Sequence, residues 1–424
     1  MRVLLLGGGG RESALAAALR RSRSVTELVA VPGNPGIAEF ATVLDGDPAN
    51  PEKVIALAGE LRPDLVVVGP EAPLVAGVAD GLREIGVPVF GPNAAAAQIE
   101  GSKAYAKKLM ASEGIATARG HSFTSLPAAV AFMDELGPPF VVKADGLAAG
   151  KGVVVTEERN EAVRAIEDRI VAGAFGAAGR RVVIEEYLDG PELSLIAFSD
   201  GLSVVPCEPA QDYKRVNDDD EGANTGGMGS YSPVPACSSD VAAGIIEDII
   251  QPMVAATARG GAPFVGALYA GLALTDEGPK VIEFNVRFGD PETQALIPRL
   301  ESDFGDACLA SATGQLKGVS LKWSPDVCVA VVLASGGYPG SFPTGIPITG
   351  VEVAAEMSGV EIFHAGTTIE KDFLLTAGGR VLAISATGAT FREARARAYK
   401  AAGVVNFDLK HFRSDIALRA EEVE

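Results

Sequence analysis

The chain has 424 residues, 47% hydrophobic and 21% charged, with a formal net charge of −19 and a pI near 4.7. Such a length buries a large core and predicts two to four structural units, while the acidic balance argues against nucleic acid or an anionic membrane as the main partner. The four cysteines, Cys207, Cys237, Cys308 and Cys328, form no Cys-x-x-Cys pair, which argues against a zinc site or a secreted disulfide framework.

In chain order, residues 1–101 alternate strand and helix signals. VLLLG is a buried-strand run, 13–21 a helix, LVAVPGN a second strand, 51–61 a helix, and DLVVVGPE and GVPVFGP further strands. Short apolar runs between amphipathic helices describe a doubly wound parallel sheet. Its loops GGGGRES, PGNPG and GPEAP sit at the strand carboxyl ends, where such folds bind ligands. Residues 102–189 open with a lysine-bearing helix (SKAYAKKLMASEG) and continue with strands FVVKAD, KGVVVT and RVVIEEYL. Residues 190–324 read as a mixed α+β core, and 325–424 as a β-rich unit with a helix over 391–402. The class is therefore α/β and α+β multidomain. The apolar run at 3–6 is too short for a signal peptide, and no stretch nears the roughly 18 apolar residues of a membrane span. The expected address is the cytoplasm.

The loop DGLAAGKGV joins strand to strand. Its glycines let backbone amides approach phosphate oxygens, and Lys143 and Lys151 add positive charge. It is no Walker A loop, since Gly152 stands where Ser or Thr belongs; a surface hairpin with two solvated lysines is the alternative. In VVIEEYLDGPE the backbone of 186–188 can meet an adenine edge, Glu185 its amino group and Glu192 ribose hydroxyls, or the glutamates mark a solvated face. In KVIEFNVRFGDPET, Glu283, Asn285 and Arg287 alternate onto one face. Carboxylate and amide oxygens side by side suit Mg²⁺, against the alternative of an exposed strand face.

The segment 211–231, QDYKRVNDDDEGANTGGMGSY, is long, polar and without a period. Asp212 is a candidate for an ammonium group and Lys214 and Arg215 for anions; 218–221 is expected to be a solvated tip. GGGGRES opens a helix and suits a phosphate at its N-terminus. Val31 and Pro32 stand where a dinucleotide site would close its second strand with an acidic residue, so a small phosphosugar fits better than NAD. The histidines His121, His364 and His411 are isolated, and the tail 421–424 is expected to be disordered.

Taken together, GGGGRE, PGNPG, GPEAPLVAGV, EGSKAYAK, VVKADGLAAGKGV, IEEYLDGPE, QDYKR, NTGGMGSYSP, YAGL, VIEFNVRFGDPETQ, SGGYPG, FHAGT and FRSDIALRA resemble the ATP-grasp enzymes. They are most similar to the glycinamide ribonucleotide synthetase family of purine biosynthesis, and the likeness runs over 2–420. The resemblance implies an ATP-grasp fold flanked by the parallel-sheet and C-terminal units. It also implies a ligase that makes glycyl phosphate from ATP and glycine and transfers the glycyl group to 5-phosphoribosylamine.

By motif, Lys103, Lys143, Gly150 and Lys151 would bind nucleotide phosphates, and Glu185, Glu186, Leu188 and Glu192 adenosine. Glu283 and Asn285 would bind Mg²⁺ or Mn²⁺, and Arg287 would stabilise the transferring phosphoryl group. Asp212, Lys214 and Asp290 fall to glycine, and Gly9, Gly10, Asn34 and Glu71 to phosphoribosylamine. Arg287, Lys151, Asp212 and Asp290 form the expected catalytic set. Expected partners are these small molecules, with no nucleic acid or membrane, and the chain is expected to act as a monomer. PGNPGIA departs from the family loop at Pro35 and Ile37, and Tyr213 stands where His is common.

Overall fold

The structure, a computed structural model, describes residues 1–147, 152–172 and 180–424. Val3, Leu4, Leu5 and Leu6 are completely buried, so the Arg2–Gly7 strand belongs in the middle of a sheet covered on both faces. It pairs in parallel with Glu27–Pro32 on one side and Leu65–Val68 on the other, and Thr42–Val43 and Val89–Phe90 form the edges. Continuous apolar strands in all-parallel pairing are the expected doubly wound arrangement. The Pro51–Leu61 helix begins where its caps direct: the Asn50 side chain accepts the Lys53 N–H at 3.1 Å, and Pro51 takes the first helical position.

The second unit is an antiparallel sheet in the order Gly120–Phe123, Val182–Glu185, Phe140–Ala144, Val153–Thr156. Ala129 and Met133 of the Leu126–Leu136 helix, with Ala162 and Ile166 of the Arg159–Ile170 helix, close its core. The hairpin between the last two strands sets Lys143 opposite Val153. Gly150 and Lys151, in the loop it brackets, lie outside the described residues.

A third sheet runs Val204–Pro206, Glu192–Asp200, Val265–Thr275, Gly278–Asn285, again antiparallel. Its last pairing contains an irregularity: Gly271 faces Glu283 and Leu272 faces Val281, so Ile282 has no partner in the register. Bulges of this kind re-aim strands beside functional sites. Here the Ile282 carbonyl accepts a bond from Lys143 Nζ at 2.9 Å, tying the second sheet to the third.

The fourth sheet runs Gln211–Asp212, Gly229–Ser232, Val327–Ala334, Arg380–Gly388, Val360–His364. Its first two strands come from the polar segment 211–231, which is therefore anchored at both ends. Two expectations change here. The 218–221 tip is docked: Asp218 accepts the Ser414 N–H at 2.7 Å, and Asp220 pairs with Arg413 at 3.0 Å and Arg419 at 3.2 Å. The C-terminal tail is ordered as the Leu418–Val423 helix, because Glu421 meets Arg395 at 2.5 Å and Arg392 at 3.1 Å, and Glu424 accepts the Phe391 N–H at 2.9 Å. Both acidic runs look solvated locally, and their cations come from elsewhere in the chain.

Residues 239–259 form one continuous helix, with a mean hydropathy of 1.3, long and apolar enough by length and composition alone to cross a bilayer. Ile245, Ile249, Ile250, Met253 and Val254 are instead buried in the main core with Leu195 and Leu268.

Arg413 is fully buried, lies between Asp220 and Asp415 (2.5 Å), and sits 4.7 Å over the Tyr213 ring. Removing one partner of a buried pair strands the others. Arg413→Met is therefore expected to lower stability to urea by about 3 kcal/mol; an unchanged midpoint would show that this junction carries no weight.

Candidate active site

The site is built around Glu283, near the end of the Gly278–Asn285 strand. Its carboxylate has no hydrogen-bond or ion-pair partner among the described residues, although the side chain is half-buried. Burial raises its pKa, but the charges of Lys214, Lys103, Lys143 and Arg287 outweigh that and hold it below the usual carboxylate range. Two residues on, Asn285 Oδ1 accepts from Arg287 Nη2 at 3.1 Å. The Arg287 guanidinium then reaches Glu100 at 3.2 Å and Glu71 at 3.3 Å. Burial would lower its pKa; Glu100 and Glu71 drive it upward instead. Glu71, at the start of the Glu71–Val75 helix, is held low despite burial, by Arg287 and Arg11.

Two lysines come from the second unit. Lys103 begins the Lys103–Glu113 helix and donates to the Gly146 carbonyl at 3.1 Å. Burial lowers its pKa, opposed by Glu283. Lys143 pairs with Glu185 at 2.5 Å, and Glu185's other oxygen lies 3.0 Å from Lys107. Burial would raise the Glu185 pKa; the two lysines bring it down. Both Glu185 oxygens are thus held inside the protein. In place of the expected free acceptor for an adenine amino group, the residue orients the lysines. Lys107 was missed by the sequence reading, yet it stands four residues after Lys103 on the same helix, where side chains share a face. Glu186 turns to Arg119: its carboxylate accepts the Arg119 N–H at 2.8 Å, and its own N–H donates to the Arg119 carbonyl at 2.9 Å. Leu188 is half-buried after the exposed Tyr187.

Lys214 ion-pairs with Glu192. Burial would lower its pKa, but Glu192 and Asp212 push it well above the usual lysine value. Asp212 is moved the other way for a carboxylate, up to about 8, by burial first and then by Glu292, Glu192 and Glu283, with Lys214 opposing. Under this pair lies a second missed group: Tyr269 Oη donates to Glu292 Oε1 at 2.8 Å, and Ser194 Oγ to the same oxygen at 3.1 Å.

On the opposite side, Gly9 caps the Gly10–Arg21 helix, and its N–H donates to Glu12 Oε2 at 2.7 Å. Glu12 is tucked so closely beneath this loop that a Cβ on Gly7, which has φ +125°, would lie 2.5 Å from its Cγ. Asp290 faces Gly9 and Gly10; its Oδ1 accepts from Gln294 Nε2 at 2.7 Å and its Oδ2 from the Arg11 N–H at 3.4 Å. Burial raises the Asp290 pKa, but Arg380 and Arg11 hold it low. Asn34 departs from its expected ligand role. Its Nδ2 donates to the Gly8 carbonyl at 3.0 Å and the His364 carbonyl at 2.7 Å, and its Oδ1 accepts the Ile37 N–H at 2.9 Å. The side chain braces the loop.

The donor set suits a hard divalent cation: an ionised carboxylate without a partner among the described residues, beside an amide oxygen. Among the described residues no cluster of three His, Cys, Asp or Glu offers an all-protein cage. The three histidines are engaged with other groups. His364 is bonded to Thr367 at 3.0 Å with its pKa pushed down to about 4 by burial, His411 bonds the Val216 carbonyl, and His121 packs on Phe132.

Comparison with known proteins points one way. Family models for the phosphoribosylglycinamide synthetase N domain, ATP-grasp (A) domain and C domain match residues 1–100, 101–293 and 328–419. The chain is 51% identical over 423 residues to phosphoribosylamine–glycine ligase of Streptomyces coelicolor, covering 99% of each, and 49% identical over 420 residues to that of Rhizobium meliloti, again covering 99% of each. Among solved structures, a phosphoribosylamine–glycine ligase from Thermotoga maritima superposes with a TM-score of 0.86 at 34% identity, over 98% of this chain and 100% of that one. A biotin carboxylase from Campylobacter jejuni, at TM-score 0.74 and 16% identity over 99% and 95% of the chains, shares the fold.

The lysine pair on Glu185 has a measurable signature. A carboxylate whose folded pKa is depressed stabilises above its unfolded value and loses that stability as pH falls through the folded one. Lys107→Met should cost about 2 kcal/mol at pH 7, the scale of a charged hydrogen bond. Its deficit against wild type should shrink as urea titrations move below the usual carboxylate range and through the depressed Glu185 pKa, where the ion pair is lost in wild type as well. A pH-independent deficit would mean that packing, and not the ion pair, is what Lys107 contributes.

Proposed function

The chain belongs to the phosphoribosylglycinamide synthetase family and is an ATP-dependent ligase that joins glycine to 5-phosphoribosylamine in purine biosynthesis; we propose that its residues divide that work as follows. A carboxylate oxygen of glycine attacks the γ-phosphorus of ATP, and ADP leaves, giving glycyl phosphate. The amine of phosphoribosylamine then attacks the glycyl carbonyl, loses a proton and expels inorganic phosphate, leaving glycinamide ribonucleotide. Neither step uses a protein nucleophile. Catalysis is therefore positioning and charge neutralisation, for which a site of lysines, arginines and carboxylates without a free histidine is suited.

Lys103, Lys143 and Lys151 take the nucleotide phosphates. The 186–188 backbone takes the adenine edge, now that Glu185 is held by lysines, and Glu192 takes ribose once its bond to Lys214 opens. Glu283 and Asn285 hold Mg²⁺ or Mn²⁺, which when bound neutralises phosphate charge. Arg287, fixed by Glu71 and Glu100, faces the transferring phosphoryl group. Asp212 and Lys214 receive glycine, and Asp290 with the Gly9–Gly10 backbone and Glu71 the phosphoribosylamine side. The observation that carries this reading is the Glu283 carboxylate, kept ionised by surrounding cations and without a bond of its own among the described residues. Four widely spaced cysteines, three of them buried, suit a reducing, cytoplasmic setting.

An ADP-release assay with Mg²⁺-ATP and freshly generated phosphoribosylamine tests the function. ADP release that requires both glycine and the amine, with glycinamide ribonucleotide identified by mass, is the expected result. ADP release with another carboxylate and indifference to glycine would overturn the substrate. Glu283→Ala should lower turnover by at least about a hundredfold, beyond what loss of an outer-shell metal partner costs, without lowering the Tm. Near wild-type turnover would remove the metal assignment.

A further inference from the structure

Arg380 opens the Arg380–Gly388 strand of the C-terminal sheet, far in sequence from every residue placed in the site so far. Its guanidinium meets the turn at 289–292, which carries Asp290 of the expected catalytic set. Nη1 donates to the Gly226 carbonyl at 2.7 Å and to the Asp290 carbonyl at 2.9 Å, and it lies 3.2 Å from the Asp290 carboxylate. The group rests directly on Gly226, where an added Cβ would lie 2.9 Å from the Arg380 Cζ. Tyr338, from the same unit, accepts the Gly226 N–H at 2.9 Å. The neighbouring Gly227 is equally tight, its Cβ position 2.3 Å from Pro291 of the 289–292 turn.

One arginine thus joins three parts of the chain at one point. It fixes the backbone of the 226–227 turn, the backbone of Asp290 and the direction of the Asp290 carboxylate, whose remaining bonds run to Gln294 and to the N-terminal helix at Arg11. Among the described residues, no bond or ion pair of Arg380 reaches those assigned to ATP. A planar guanidinium stacked on a bare glycine is also a geometry that an ammonium cannot reproduce.

We propose that Arg380 is a positioning residue of the ligation reaction, which fixes Asp290 and the 226–227 turn against the Gly9–Gly10 loop so that the binding of glycine and phosphoribosylamine, and not of ATP, depends on it. The inference rests on the reaction assigned above. Misplacing a reacting group by about an ångström costs up to about a hundredfold in rate, and the loss should be confined to the substrates that Asp290 orients.

The test is steady-state kinetics of Arg380→Ala and Arg380→Lys with each of the three substrates varied in turn, beside Arg395→Ala. The last variant breaks the ion pair to Glu421 in the same unit and reports lost stability alone. Arg380→Ala should raise the KM for glycine or phosphoribosylamine, or lower kcat/KM for them, by about tenfold or more, with the KM for ATP within about twofold. Arg380→Lys, which keeps the charge but not the planar fork, should show the same loss confined to glycine and phosphoribosylamine, smaller in size, and it carries the test by itself where the alanine variant is too unstable to assay. Equal losses for all three substrates, or losses matched by Arg395→Ala at the same Tm decrease, would make Arg380 a purely structural brace and overturn the proposal. Wild-type protein that forms no glycinamide ribonucleotide would instead overturn the assigned reaction, and this inference with it.

Discussion

Everything in the site depends on keeping one half-buried carboxylate ionised. Burial alone would protonate Glu283, and the fold prevents that by gathering charge from four places: Lys103 on a helix, Lys143 on a strand of the second sheet, Lys214 beyond the third, and Arg287 just past the Glu283 strand itself. Each cation is held in turn. Gly146 fixes Lys103, Ile282 and Glu185 fix Lys143, Glu192 fixes Lys214, and Glu71 and Glu100 fix Arg287. The irregular pairing at Ile282 is part of this, because it supplies the carbonyl that joins Lys143 to the strand carrying Glu283.

The same logic reconciles a net charge of −19 with substrates that are mostly anionic. Overall charge governs long-range fields, but what a phosphate meets at contact distance is local. The cations around Glu283 reverse the sign inside the site, while acidic residues elsewhere are neutralised by arginines, Asp220 across the joint between units by Arg413 and Arg419, and Glu421 within the last unit by Arg395.

Much of the architecture was legible because its signals are short-range. The parallel sheet follows from uninterrupted apolar runs, and the Pro51–Leu61 helix from Asn50 and Pro51 at its start. The alternation that sets Glu283 and Asn285 on one face survives the bulge, since Gly271 and Tyr269 oppose them two residues apart. What stayed hidden was pairing at long range. Asp220 read as solvated because its arginine is Arg413, and Asn34 read as a ligand because its acceptor is the backbone of His364. Glu185 read as an adenine contact because nothing local marks it as held by two lysines. Lys107 alone had a usable local signal in its four-residue spacing from Lys103. The roles of Gly150 and Lys151 rest on sequence, since they fall outside the described residues.

The Gln211–Asp212 and Gly229–Ser232 strands complete a sheet whose other members begin at Val327. The third and fourth units are therefore not separable modules. A ribosome that has released everything up to the start of the last unit presents Gly229–Ser232 without its neighbour, and an unpaired strand edge invites association with other chains. The same interlock limits evolutionary traffic: a recombination event at the junction near residue 325 would exchange half a sheet, and only a donor matching the register from Gly229↔Val331 to Ser232↔Cys328 would yield a chain that folds.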